Sequence, residues 1–200
     1  MDDLIQRARN GDSGAFATLF EHGKQQMWRA AMAVLGNEED ASDALQETAI
    51  KAWRAMPRFG GRSAVGTWFM RILLRTCYDL RRERKRETPC AMGVLDVDVD
   101  GADVSWEPAA NQVLGERGPV REPDRDAALD VRDALGQLAP DDRLVLALFY
   151  VNDFPVRQIS QIMNVSEGAV RTRLTRARDR FKVAYCRETD QMQRKAEVAR

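Results

Sequence analysis

The sequence predicts an all-α protein: two small helical domains joined by a flexible acidic linker, the second a four-helix domain containing a helix-turn-helix. Three observations predict it. Apolar residues recur at i, i+3, i+4 spacing through residues 1–87 and again through 124–186, with no period-two stretch that would signal strands. Between these blocks, residues 88–123 lose periodicity and hold Asp96-Val97-Asp98-Val99-Asp100-Gly101 among prolines and glycines, so a packed core cannot form there. Toward the end, a short helix from Pro155 meets a tight turn at Asn164 and a second helix loaded with arginine. Proteins place such a second helix in the DNA major groove.

Taken in order, the first domain opens with Asp2 and Asp3 at a helix start, where acidic side chains interact favourably with the helix dipole. Gly11-Asp12-Ser13 then forms a capping cluster, followed by Phe16, Leu19, Phe20, Met27, Ala31, Val34 and Leu35 at helical spacing, closed by Gly36-Asn37. Residues 39–56 hold the pattern through Ala41, Ala44, Leu45, Thr48, Ala49, Ala52, Trp53 and Met56 until Pro57 stops it. A glycine-rich loop, residues 59–66, precedes a third helix with Phe69, Ile72, Leu73, Thr76, Cys77 and Leu80 inward. In the linker Trp106 and Leu114 are the exceptions, large apolar residues able to dock elsewhere. The second domain has one helix through Val131, Leu135 and Leu138, and another from Pro140 through Leu144, Leu148 and Phe149. In the helix-turn-helix, Asn164 suits the left-handed turn and Ser166 suits the N-cap. Val170, Leu174, Ala177 and Phe181 form one buried stripe on the second helix. Residues 187–200 read as a polar tail.

A formal net charge of zero would by itself argue against a nucleic-acid partner. The distribution reverses that impression. Residues 1–87 hold 15 Lys/Arg against 12 Asp/Glu, residues 88–123 hold 2 against 7, and residues 124–200 hold 14 against 12. An acidic block thus separates two basic ones. Cys77, Cys90 and Cys186 are odd in number and without a CxxC pair, which fits a reducing cytoplasm and no disulfide framework. With His22 the only histidine, no metal site and no cofactor are expected. No catalytic constellation emerges either, since acyl transfer lacks both base and nucleophile elbow and no phosphate-binding glycine motif follows a strand. Apolar runs fall short of membrane-spanning length, so direct membrane insertion is not expected.

Two further faces bear on function. On the 39–56 helix, Asp40, Asp43, Glu47, Lys51 and Arg54 stack along one side with Gln46 beside them. Periodicity alone favours an ordinary solvated face; the other reading is a protein-docking surface. On the next helix, Arg71, Arg75, Tyr78 and Arg82 are spaced four, three and four, with Trp68 one turn earlier, and Arg71 to Arg86 carries seven cations against two acids. Interleaved cations and rings suit a single strand, with arginines tracking phosphates and aromatics stacking on bases. Trp68 and Tyr78 equally well cap the core.

Asp40-Ala41-x-Asp43-Ala44-x-Gln46-Glu47, Trp53, Phe59-x-Gly61, Thr67-Trp68-Phe69 and Asp79-x-x-Arg82 together resemble the second conserved region of bacterial sigma factors. Residues Leu138-Ala139-Pro140 to Arg178 resemble their fourth region, and the short acidic linker without a third region is similar to the extracytoplasmic-function (ECF) group. The resemblance implies a promoter-specificity factor whose 39–56 helix binds the clamp helices of the largest subunit of core RNA polymerase, through Asp40, Asp43, Gln46, Glu47 and Arg54. It implies capture of a flipped −10 base by the 59–67 loop, with Gly61, Arg62, Ser63 and Thr67, and a strand held by Trp68, Arg71, Arg75, Tyr78 and Arg82. It implies −35 reading through Ser166, Glu167, Arg171, Thr172, Arg173 and Arg176, a flap contact by the 140–151 helix, and an anti-sigma factor as regulator. Arg62 in place of an acid and Val65 in place of Phe depart from the pattern, so the −10 base preference does not transfer; Pro155, Gln158 and Ala169 depart in the fourth region. The alternative function is a dimeric helix-turn-helix regulator on a palindromic operator, which leaves residues 39–86 without a role.

Overall fold

The computed structural model describes residues 1–61, 63–85 and 125–198. Arg62 and the acidic stretch with Trp106 and Leu114 lie outside them, so the expectations placed there have no structural counterpart. The described residues form helices, turns and loops without a strand.

Helix α1 (Asp2–Arg9) has acids in its first turn and arginines in its last, both favourable to the dipole. Asp12 caps α2 (Ser13–Leu35), its Oδ1 accepting from the Ala15 N–H at 3.0 Å. Arg7 holds Asp12 from behind, its Nε and Nη2 donating to Oδ2 at 2.9 and 2.8 Å. The Ala15 amide, then Arg7, keep the Asp12 carboxyl below its ordinary pKa. Gly36 ends α2 at φ 82°, the left-handed conformation that glycine adopts without a Cβ clash. Asn37 then caps α3 (Glu38–Ala55), and the short turn Met56–Arg58, with Pro57 inside it, closes that helix. Helix α4 (Val65–Lys85) lies across α2 and α3. At the centre, the Phe69 ring meets Phe16, Phe20 and Trp68 at centroid distances of 5.8, 5.4 and 5.3 Å.

In the second module α5 (Arg125–Gly136) leads to α6 (Pro140–Leu146), where Pro140 occupies the first turn beside Asp141 and Asp142. Spacing predicts one helix from Pro140 to Phe149. Instead α6 widens into a π turn, Ala147–Val151, and Asn152 closes it by donating its N–H to the Ala147 carbonyl at 2.9 Å. Helix α7 (Val156–Met163) starts behind Pro155 without a side-chain cap. Asn164 turns the chain at φ 52°, ψ 48°, and α8 (Glu167–Val198) carries the helix through the segment read as a polar tail. Leu144, Leu148, Ile159, Ile162, Val170, Leu174 and Ala177 are fully or almost fully buried around α8, and Phe181 is partly so.

The two modules pack together, α6 and its π turn on α2, and α7 on α4. Arg143 reaches into the end of α2, donating from Nε to the Ala33 carbonyl (2.8 Å) and from Nη2 to the Val34 carbonyl (3.2 Å). The last carbonyls of a helix have no partner of their own, so a guanidinium there acts as a cap supplied from the other module. Asn152 Nδ2 donates to the Gln26 carbonyl at 3.1 Å, and Arg29 Nη1 donates back to the Val151 carbonyl at 3.1 Å.

Candidate polymerase and nucleic-acid interfaces

Helix α3 buries Ala41, Ala44, Leu45, Thr48 and Ala52, which leaves Asp43, Gln46, Glu47, Ile50, Lys51 and Arg54 exposed as one row. Glu47 and Lys51 pair at 3.4 Å, and Lys51 also donates to Thr76 Oγ1 at 3.3 Å, so the row is tied to α4. Asp40 behaves differently from the others expected on this face. It is only 6 % exposed, its Oδ2 accepts from Asn37 Nδ2 at 2.7 Å, and its Oδ1 pairs with Arg84 at 2.5 Å. Its carboxylate serves the fold, because a helix N-terminus and an arginine already neutralise it. Ile50 was missed. An apolar residue three after Glu47 and four after Gln46, 45 % exposed, was legible in the spacing as a member of the same surface.

On α4 the expected strand-binding residues divide. Trp68 is 3 % exposed and packs at 5.0 Å on Phe59, so of its two readings the core one holds, and stacking on bases is closed to it here. Ser63 and Thr67 are also buried, their hydroxyls without a hydrogen-bond partner in the protein. Gly61 is exposed at φ 70°. Arg75 and Arg82 face solvent, with Arg82 paired to Asp79 at 3.3 Å. Arg71 and Tyr78 are half-buried against the second module. Arg71 Nε donates to the Gln161 carbonyl at 2.9 Å and Tyr78 donates its hydroxyl hydrogen to Asp141 Oδ1 at 2.5 Å. Burial without a carboxylate partner pulls the Arg71 pKa down.

The recognition helix α8 is capped as its sequence requires, with Ser166 Oγ accepting from the Ala169 N–H at 3.2 Å. Glu167 holds Arg171 one turn on, at 2.9 Å. Thr172 and Thr175 donate back to the Gly168 and Arg171 carbonyls at 3.0 and 3.1 Å. The arginines that look equivalent in the sequence play different parts. Arg171 and Arg176 are exposed, while Arg173 is half-buried. Arg178 lies 5.5 and 5.4 Å from the Phe149 and Tyr150 ring centroids, and Arg180 pairs with Asp142 at 2.5 Å. Arg178 is therefore engaged by the module's own rings, while Arg180, largely exposed, is tied to Asp142 at the module's rim.

Two family models match this architecture in order: Sigma-70 region 2 over residues 19–87 and Sigma-70, region 4, over residues 128–181. Together they span the three-helix face of α2–α4 and the whole helix-turn-helix. This chain belongs to the sigma-70 family, in its ECF group. Among curated relatives of this sigma factor, the ECF sigma factor SigG of Mycobacterium tuberculosis is 29% identical over 195 residues, covering 90% of this chain and 51% of its own. The chain thus spans about half the length of that relative. The RNA polymerase sigma-H factor of Pseudomonas aeruginosa is 29% identical over 177 residues (88% and 89% covered), and SigW of Bacillus subtilis 26% over 178 (88% and 91%). Two solved structures share the fold. CnrH in complex with the cytosolic domain of CnrY aligns at TM-score 0.62 and 22% identity over 90% of this chain and 94% of its own. RpoE from Bartonella quintana, in complex with the anti-sigma factor NepR, aligns at 0.59 and 23% over 84% and 95%. These matches do not favour a palindrome-binding dimeric regulator.

No described helix is long and apolar enough to cross a membrane. Among the described residues no group of three or more His, Cys, Asp or Glu side chains could hold a metal ion.

Proposed function

We propose that this sigma factor binds core RNA polymerase and directs initiation at defined promoters by engaging their −10 and −35 elements, acting by binding rather than catalysis in the cytoplasm. The observation that carries the reading is the ordered pair of sigma-70 matches on one chain, with an exposed polar row on α3 in the first and a capped basic helix in the second. In this reading residues 1–87 serve polymerase and the −10 element, 88–123 form the linker, 124–186 serve the −35 element and 187–200 follow as a tail. Asp43, Gln46, Glu47, Ile50 and Arg54 meet the clamp helices of the polymerase, the 140–151 segment meets its flap, and Asp40 supports α3 from within. Arg71, Arg75, Tyr78 and Arg82 hold the −10 strand beside the Gly61–Ser63 loop. Arg171, Arg173 and Arg176, with Thr172, Ser166 and Glu167, approach the −35 duplex. Phosphate contacts position the protein and base edges give it selectivity. That two structural neighbours are bound to CnrY and to an anti-sigma factor supports an anti-sigma partner here as well.

Run-off transcription with core polymerase and a genomic promoter library tests the whole. The wild-type chain is expected to direct initiation at a defined set of sites, and Asp43→Lys with Glu47→Lys to abolish both polymerase association and transcripts. A chain that binds promoter DNA symmetrically by itself, without polymerase, overturns the reading.

A further inference from the structure

The cations that end α4 look in the sequence like one nucleic-acid surface, yet Arg84 is spent elsewhere. From the last turn of α4 it pairs with Asp40 Oδ1, in the first turn of α3, at 2.5 Å. The other side of Asp40 is held by Asn37, whose Nδ2 donates to Oδ2 at 2.7 Å and whose Oδ1 accepts from the Asp40 N–H at 2.8 Å. Further along α3, Lys51 donates to Thr76 Oγ1 at 3.3 Å, and Thr76 is buried in α4. The start of α3 is thus fastened to the end of α4, and a later turn of α3 to the middle of α4. The exposed residues Asp43, Gln46, Glu47 and Ile50 lie between these two tethers. We infer that Arg84 is a positioning residue for the polymerase-binding row: through Asp40 it holds the first turn of α3 against α4, and it makes no phosphate contact of its own. This rests on the polymerase reading of α3 given above.

Burial decides which of the two roles Arg84 takes. Its own side chain is more than half exposed, but the carboxylate it meets is almost fully buried. Surrendering Arg84 to a phosphate leaves that carboxylate with only the cap and the helix dipole to offset its charge. Arg75 carries no such cost, because it faces solvent, and Arg82 is tied only to Asp79 one turn away on its own helix. The first turn of a helix frays readily, since its N–H groups have no partner within the helix. A row that begins one turn beyond Asp40 loses definition when that turn loosens, and ordering it again on association weakens binding. Arg84 therefore acts on polymerase affinity without touching polymerase, by keeping the row in one geometry before the partner arrives.

Titrating core polymerase against the full chain, captured through a terminal tag and followed by biolayer interferometry, tests this. Arg84→Ala is expected to weaken association roughly three- to fivefold, the range for an ion pair with one exposed partner. Arg84→Lys, which keeps a cation within reach of Asp40, is expected to recover most of the loss. In an Asp40→Asn background, Arg84→Ala is expected to cost nothing further. Thermal melts of each variant separate positioning from stability: a residue that only stabilised the fold would lower the melting temperature and leave the affinity of the folded chain unchanged. A second readout is the salt dependence of promoter binding at saturating polymerase, on a forked fragment from an initiation site found by run-off transcription. There Arg75→Ala is expected to lower the slope of log K against log salt by about one, and Arg84→Ala to leave it at the wild-type value. Any one of four results overturns the inference: Arg84→Ala with wild-type polymerase affinity, Arg84→Lys as weak as Arg84→Ala, an equal loss in the Asp40→Asn background, or a salt slope that falls with Arg84→Ala. A wild-type chain that does not bind polymerase overturns the initiation reading as well, whereas a wild-type chain that binds no better than Arg84→Ala overturns this inference alone.

Discussion

Arg180 of α8 and Asp142 of α6 form an ion pair at 2.5 Å that fastens the recognition helix to the helix in front of it. Arg180 stays largely exposed while Asp142 is 7 % exposed, so the pair sits at the rim of the module. Removing the arginine leaves a mostly buried carboxylate with less compensation. Arg180→Ala is expected to destabilise the chain by about 1 kcal/mol, the exposed partner limiting the effect. A double-mutant cycle with Asp142→Asn in urea unfolding checks it, through a coupling energy of similar size.

The same pair distinguishes an arginine committed to the fold from those that the proposed function assigns to the −35 duplex. If Arg176 meets a phosphate of the −35 duplex as proposed, Arg176→Ala is expected to lower the slope of log K against log salt by about one. Arg180→Ala is expected to leave that slope near the wild-type value, since Arg180 is committed to Asp142. Salt titrations by fluorescence anisotropy distinguish the two.

At the turn of the helix-turn-helix, Asn164 sits at φ 52°, ψ 48°. A residue with a Cβ and no short polar side chain is strained there by roughly 1–2 kcal/mol. Asn164→Ala is therefore expected to lower the unfolding midpoint, whereas Asn164→Gly is expected to stay close to wild type. Denaturant melts of the two variants measure the contrast.

Phe69 is fully buried and contacts three aromatic rings of α2 and α4. Phe69→Ala leaves a cavity that those rings cannot fill and is expected to cost about 3–5 kcal/mol. The loss is large enough for the first module to unfold at moderate denaturant, seen by circular dichroism.

Burial pushes the Cys77 thiol up to about 12, whereas Cys186 is exposed. At pH 8 iodoacetamide is expected to label Cys186 rapidly and Cys77 only after denaturation, as peptide mass spectrometry would show. Because the folded-state value is raised, Cys77 contributes stability that is intact below the ordinary thiol range. That contribution fades as pH climbs from about 9.0 toward 12, where the unfolded chain ionises first.

Local residue chemistry alone determined most of the architecture. Helical spacing, Asp12, Gly36, Pro57, Asn164 and Ser166 each sit where their own backbone preferences put them, and those preferences act over a single turn. The family, too, was legible, because its motifs lie within continuous helices. Periodicity could say which side of α3 or α8 faces outward, but not which polar residues that side gives away to another element. Only the tertiary structure decided that Asp40 is neutralised by Arg84, that Trp68 belongs to the core, that Arg178 lies on the Phe149 and Tyr150 rings and that Arg180 is tied to Asp142. It alone placed Arg71 and Tyr78 on the second module, since a bond such as that of Arg71 to Gln161 joins residues 90 apart in the chain and leaves no trace in either local pattern.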